Sequence, residues 1–463
     1  MLPEQWSLER RSGRLHLDGH DLTGLAEDFG TPLHVASARI VRERAAEMKR
    51  AFGGYSAPVR IHFSYKTNLV AGILRVLHDA GVQAEVVNGY ELWLAQRLGV
   101  APDDIVFNGP NKSDQELLAA VEADVGLLVV DGLGELSRVA AFAAARGTKA
   151  RIGLRICPDV VPRRMNASSL TGSRKNQFGL DLRDGEARAA LEQAVRSPHL
   201  RLRGFMAHIG SGIHDLGAFR DAVDRLLGMH VEALRLGAEP DLIDLGGGLG
   251  ARRSREFTTL EMLAYLGLGR LPKPAAPEGS DLFDRYADAV STALEQGCAR
   301  QGCALPALVL EPGRALVSDA QVLLLQVGAV RGRKGVGEFA LTDGGAMTSS
   351  MMFLSERHQV FLANRDAPDE GRTSVFGALP SPMDVVYRNL PCPRLQRGDL
   401  LAVMDAGAYF TSTSTNFGGP RPAVVLLDGA RAKLVRRRET FEDLARVELD
   451  VPEPETSAVR LVS

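Results

Sequence analysis

Eight short apolar runs alternate with helical segments between residues 59 and 313, and that alternation constrains the fold more than any other feature of the chain. The runs are Val59–Lys66, Val82–Val87, Asp104–Gly109, Gly126–Asp131, Ala150–Ile156, Arg203–Ile209, Asp241–Gly247 and Ala307–Gly313. Helical periodicity fills the intervals, as in Gly89–Leu98, Gln115–Ala123, Leu133–Ala145, Gly185–Val195, Phe219–Leu236 and Asp281–Arg300. A strand, a helix and a parallel strand connect right-handed, so every helix falls on the same face of the sheet. Eight such units predict an α/β fold closed as a (β/α)8 barrel. Strands covered by helices should read as nearly continuous apolar runs, and most of these do.

After about Leu310 the pattern changes to strands separated by turns: Val317–Val330, Gly337–Thr342, Thr373–Leu379, Leu400–Met404, Pro422–Leu427 and Ala432–Arg437. This predicts a second, all-β domain. The early strand Arg14–Leu17 has no barrel partner and is expected to join it. The division is then residues 1–35 as an N-terminal segment of the β-domain, 36–315 as the barrel and 316–463 as the rest of the β-domain. Pro158–Leu182 and Gly250–Gly279 read as long loops, and Pro452–Ser463 has the composition of a disordered tail. A hydrophobic fraction of 45 % is that of a globular protein, and a net charge of −2 argues against nucleic acid as a partner. No apolar run reaches membrane-spanning length, no secretion leader is visible, and the four cysteines lack metal-ligand spacing. The expectation is a cytoplasmic protein with no metal site and no membrane contact.

Nearly every barrel strand ends in a residue able to do chemistry: Lys66, Glu85, Asn108, Asp131, Arg155, His208, the glycines Gly246–Gly248, and Glu311 with Arg314. Barrel active sites gather at that end of the strands. Each residue alone admits a plain reading. Glycine-rich turns are common, Glu311 and Arg314 would make an ordinary ion pair, and His208 a satisfied structural histidine. Together they match the needs of pyridoxal phosphate. A lysine condenses with its aldehyde, a glycine run offers backbone N–H groups to its phosphate, a carboxylate holds the proton on its ring nitrogen, and an imidazole lies against the ring.

The motifs resemble those of the alanine-racemase-like, fold type III decarboxylases, the group of diaminopimelate and ornithine decarboxylases. The matching stretches are Ser64-Tyr-Lys-Thr-Asn68, Ala84-Glu-Val-Val-Asn-Gly-Tyr-Glu91, His208-Ile-Gly-Ser211, Asp244-Leu-Gly-Gly-Gly248, Glu311-Pro-Gly-Arg314, Asp343-Gly-Gly345 and Asp405-Ala-Gly-Ala-Tyr409. The resemblance implies that Lys66 carries the cofactor as a Schiff base, His208 stacks on its ring and Glu311 bonds its nitrogen. Gly246, Gly247, Gly248, Arg314 and Tyr409 would contact the phosphate, with Glu85, Ser211 and Gly313 also in the cofactor site. It implies a homodimer with shared active sites.

One departure bears on the substrate. Diaminopimelate decarboxylases carry Gly-x-x-Cys-Glu-Ser-x-Asp, and this chain reads Gly377-Ala-Leu-Pro-Ser-Pro-Met-Asp384. Pro380 replaces the cysteine that transfers a proton, and Ser381 replaces the glutamate for the distal amino group. After Asp343-Gly-Gly the family's arginine and tyrosine for a distal carboxylate are also missing, in a stretch that includes Met351. Arg314, Tyr409, Met351, Pro380 and Ser381 are the residues expected near the substrate. The sequence therefore suggests the natural-product or siderophore branch, acting on an amino acid whose far end is amidated, conjugated or tethered to a carrier protein. The alternatives are a diaminopimelate decarboxylase, an amino-acid racemase or epimerase, and a non-catalytic pyridoxal-phosphate-binding protein.

Overall fold

The computed structural model describes residues 6–450 apart from 164, 167–168, 276–277 and 370, so the tail from Pro452 lies outside the described residues. The chain divides into two compact units, one of Ala38–Leu263 with Lys273–Ala320, the other of Met1–Ser37, Ala264–Pro272 and Gln321–Ser463.

The first unit is the barrel. Its strands are β1 (Val59–Ser64), β2 (Gln83–Val86), β3 (Ile105–Phe107), β4 (Leu127–Val130), β5 (Ala150–Cys157), β6 (Leu200–Met206), β7 (Leu242–Asp244) and β8 (Ala307–Leu310). Each pairs in parallel with its sequence neighbours, β4 with β5 and β8 with β1 included, so the sheet closes. Val106, Leu127, Val129, Met206, Leu242 and Val309 pack together as a buried cluster. Burying each such side chain contributes about 1.5–3 kcal/mol against the entropy of ordering it. The first predicted strand is too long. It stops at Ser64, and Tyr65–Thr67 form one turn of 3-10 helix, so Lys66 stands on a turn beyond the ladder.

The expected loop Gly250–Gly279 contains a helix, Thr259–Leu268. Its start was legible, because the Thr258 hydroxyl accepts from the Glu261 N–H at 3.3 Å while the Glu261 carboxylate accepts from the Thr258 N–H at 3.0 Å. That reciprocal cap is a Thr-x-x-Glu signal, obscured by the nearby prolines.

The second unit holds a sheet ordered Val385–Cys392, Gly371–Phe376, Gly337–Thr342, Gln321–Arg333, Leu33–Ser37, Ala423–Asp428 and Arg431–Arg436. The N-terminal strand in this sheet is Leu33–Ser37, which runs antiparallel to Gln321–Arg333 and parallel to Ala423–Asp428. Arg14–Leu17 belongs to this unit, as expected, and within it forms a separate three-stranded sheet with Leu8–Arg11 and His20–Asp21. All five residues of Leu33–Ser37 are buried, so the strand shows no alternation to betray it. Val385–Cys392 was missed for another reason: Arg388, Asn389 and Pro391 interrupt its apolar run.

Candidate active site

Five of the strand-end residues, Lys66, Asn108, Arg155, His208 and Glu311, line one cavity of about 240 Å³ together with Phe178. Lys66 reaches it from its turn with 41 % of the side chain exposed, and its Nζ lies 3.7 Å from Oε2 of the fully buried Glu85. The turn sits close against the end of β8. A Cβ at Gly313 would stand 2.1 Å from the Thr67 hydroxyl, so only glycine fits there.

His208 follows β6 and faces the cavity. The Gly247 N–H donates to its Nδ1 at 3.2 Å, which leaves the ring proton on Nε2. Burial, then the charges of Lys66 and Arg155, hold its pKa well below the ordinary histidine value. The ring is therefore neutral.

Glu311 lies at the end of β8 beside Asp244 of β7. Burial first, then their mutual repulsion and Glu85, push the Glu311 carboxyl well up, and burial raises Asp244 as well. The Asn108 amide nitrogen donates to Glu311 Oε1 at 2.6 Å and to Glu85 Oε1 at 3.0 Å. Arg155 lies 3.3 Å from Asp131 and 4.6 Å over the Phe178 ring.

The glycine run has more than one task. The Gly246 N–H donates to Asp244 Oδ1 at 2.8 Å, and the Gly247 N–H is held by His208. Of the three N–H groups expected at a phosphate, that of Gly248 lacks a protein partner among the described residues. A Cβ at Gly247 would fall 2.3 Å from the Glu311 carbonyl oxygen, so the glycine there permits the close approach to β8. The ion pair that the geometry shows for Arg314 is with Glu256 rather than Glu311. Its guanidinium is buried and lies 3.8 Å from Glu256. Ser211 is held through its N–H by the Ser169 carbonyl at 3.1 Å.

Tyr409, Met351, Pro380 and Ser381 belong to the second unit. Tyr409 has a left-handed φ of 65°, and its carbonyl accepts from the Thr413 N–H at 3.0 Å. Met351 opens a short turn and is 47 % exposed. Pro380 is exposed, and the Ser381 hydroxyl accepts from the Met383 N–H at 3.3 Å. Asp384, the motif's last residue, is fully buried and accepts from the N–H groups of Met347 and Leu379, each at 3.0 Å. Its part is to brace two loops.

Sequence reasoning gave no role to Asp244 or Lys112 and saw Asn108 only as a polar strand end. Lys112 is fully buried, 2.6 Å from Glu135, and donates to the carbonyls of Gly109 at 2.6 Å and Val129 at 2.8 Å. A lysine in a turn reads as solvated, and no local pattern announces its burial. Lys112→Met would strand the Glu135 carboxylate, so the free energy of unfolding should fall by about 3–5 kcal/mol. Urea titration followed by circular dichroism measures it, and a change within 1 kcal/mol would refute the pairing (~1 kcal/mol being the worth of an exposed pair).

Whether these residues fit pyridoxal phosphate is decided by the donor set. An amine and a neutral imidazole face the cavity. A buried carboxylate cluster below them suits a protonated ring nitrogen. Asn108, which lines the cavity, has its Oδ1 buried with no hydrogen-bond partner among the described residues, which is unfilled polar capacity there. The residues fit. Among the described residues no cluster of His, Cys, Asp or Glu is arranged to hold a metal ion, and no helix is long and apolar enough to cross a membrane.

Residues 38–318 match the pyridoxal-binding domain of the pyridoxal-dependent decarboxylases. The chain is 31 % identical to the diaminopimelate decarboxylase of Bacillus subtilis over 96 % of its own length and 97 % of the relative's. It is 33 % identical to that of Halalkalibacterium halodurans, covering 95 % and 96 %. The crystal structure of diaminopimelate decarboxylase from M. jannaschii in complex with L-lysine superposes with a TM-score of 0.84 at 30 % identity, covering 96 % of this chain and 98 % of that one. A cofactor-ready barrel and end-to-end similarity lead to the same place: the chain belongs to the fold type III ornithine, arginine and diaminopimelate decarboxylase family and is a pyridoxal-phosphate-dependent amino-acid decarboxylase.

Proposed function

We propose that the substrate is diaminopimelate or a close relative, decarboxylated at one α-carbon. The observation that carries this reading is the end-to-end match to diaminopimelate decarboxylases, from the barrel through the β-unit. It favours the diaminopimelate alternative over the natural-product branch that Pro380 and Ser381 suggest, and nothing in the comparisons supports a carrier protein.

When bound, pyridoxal phosphate supplies an aldehyde for amines and a protonated ring that accepts the electron pair left behind by CO₂. The protein's part is to place charge and protons around it. Lys66 offers the amine, with Glu85 3.7 Å away to steady its charge. Glu311 would hold the proton on the ring nitrogen, where a buried carboxylate is worth far more than in water. Neutral His208 presents a wall that adds no competing positive charge. Arg314 and the Gly248 N–H would take the phosphate. Lys66 and His208 are the cavity's groups able to return a proton to carbon.

A second reading rests on Pro380 and Ser381, which offer neither thiol nor carboxylate, so a substrate with a masked far end remains a rival. Trapping CO₂ from diaminopimelate, its monoamide, ornithine and arginine separates the two. Release from diaminopimelate at the highest kcat/KM supports the proposal, and release from the monoamide alone overturns it. The family resemblance also supports a homodimer, which a solution mass of twice 49.8 kDa would confirm.

A further inference from the structure

Asn108 directly follows β3 and is 3 % exposed, and nothing in the mechanism above uses it. Its amide nitrogen carries two N–H donors and meets two carboxylates, Glu311 on one side and Glu85 on the other, at 2.6 and 3.0 Å. Two buried carboxylates so close repel each other, and a cation between them would neutralise the charge the ring nitrogen needs. A carboxamide satisfies both acids and adds no charge.

The amide is fixed from behind. The Asn108 N–H donates to the Val86 carbonyl at 2.8 Å, and Gly109, with φ of 118°, turns the chain so that its carbonyl reaches buried Lys112. Lys112 in turn ties this turn to β4 through Val129 and to Glu135, which accepts from the Asp131 N–H at 3.0 Å. We propose that Asn108 is a positioning residue for the known reaction: it clamps Glu311 and Glu85 in one orientation and supports Glu311 in its ionised form, with Lys112 as the strut that holds the clamp.

The inference rests on the reading that Glu311 serves the cofactor's ring nitrogen. The charged groups facing Glu311 are Asp244 from β7, Glu85 from β2 and Lys66 from the turn after β1, and Arg155 of β5 faces Asp244. Losing the amide donor raises the folded-state pKa of Glu311 further above its unfolded value. An acid whose folded pKa is raised loses stability as pH climbs from the unfolded to the folded pKa, so the cost of losing Asn108 must grow with pH.

The turnover test uses the full chain with its cofactor bound, as Asn108→Leu and Asn108→Ser, the serine keeping one donor. Asn108→Leu should lower kcat by about 10–100-fold, the worth of a hydrogen bond to a charged group, with KM changed less than about threefold. Its Tm deficit, measured on the full chain stripped of cofactor so that no ring nitrogen pairs with Glu311, should be larger at about pH 8.5 than at about pH 6. Asn108→Ser should recover part of both, and carries the test alone if Asn108→Leu does not fold. A Tm deficit equal at the two pH values, with serine no better than leucine or with kcat intact, would show mere packing and overturn the proposal. Glu311→Gln is run alongside. If that variant keeps its kcat, the reading of Glu311 itself fails. If it loses kcat while Asn108→Leu does not, only the role of Asn108 falls.

Discussion

Lys66→Ala is expected to abolish the absorbance band near the visible edge that marks covalently held cofactor, and to lower CO₂ release by on the order of 10³-fold or more. The expectation follows from geometry, since Lys66 is the amine that reaches the cavity and Glu85 stands 3.7 Å from it. Lys112, the other lysine near this face, is buried against Glu135 and takes no place in the cavity lining, so it cannot substitute. Spectra with added pyridoxal phosphate read one effect and CO₂ trapping the other. A variant that keeps the band would place the covalent attachment elsewhere.

Glu311→Gln should cost about 10²–10³-fold in kcat, the usual loss when one preorganised electrostatic partner of the transition state is removed. Cofactor affinity should change far less, because Lys66, Arg314 and the Gly248 N–H are untouched. Glutamine keeps the volume and can still accept from Asn108, so the comparison isolates the charge. Equal losses of turnover and occupancy would sink the assigned role. At low pH the wild type should approach the variant, because protonating Glu311 removes the same charge.

The diaminopimelate proposal and Pro380 pull in different directions, and the CO₂ panel decides between them. The comparisons weigh on the whole chain, whereas Pro380 and Ser381 are two residues of one loop. A specificity change needs no more than that, because a site built to pair a polar group discriminates strongly once the pairing residue is lost.

The sequence by itself determined the barrel, its eight strands in order, and the cofactor chemistry. Apolar period and turn residues are local properties, and Lys66, His208 and Glu311 stand where those periods end. It did not determine which N-terminal strand enters the second sheet. Leu33–Ser37 is buried on both faces, and its partners lie some three to four hundred residues away. Nor could it show that Asn108 bridges two acids from β2 and β8, that Gly246 and Gly247 brace Asp244 and His208, or that Lys112 is a buried strut. These contacts are buried in the closed barrel, and their cost and benefit come from low-dielectric surroundings that exist only once the strands have met.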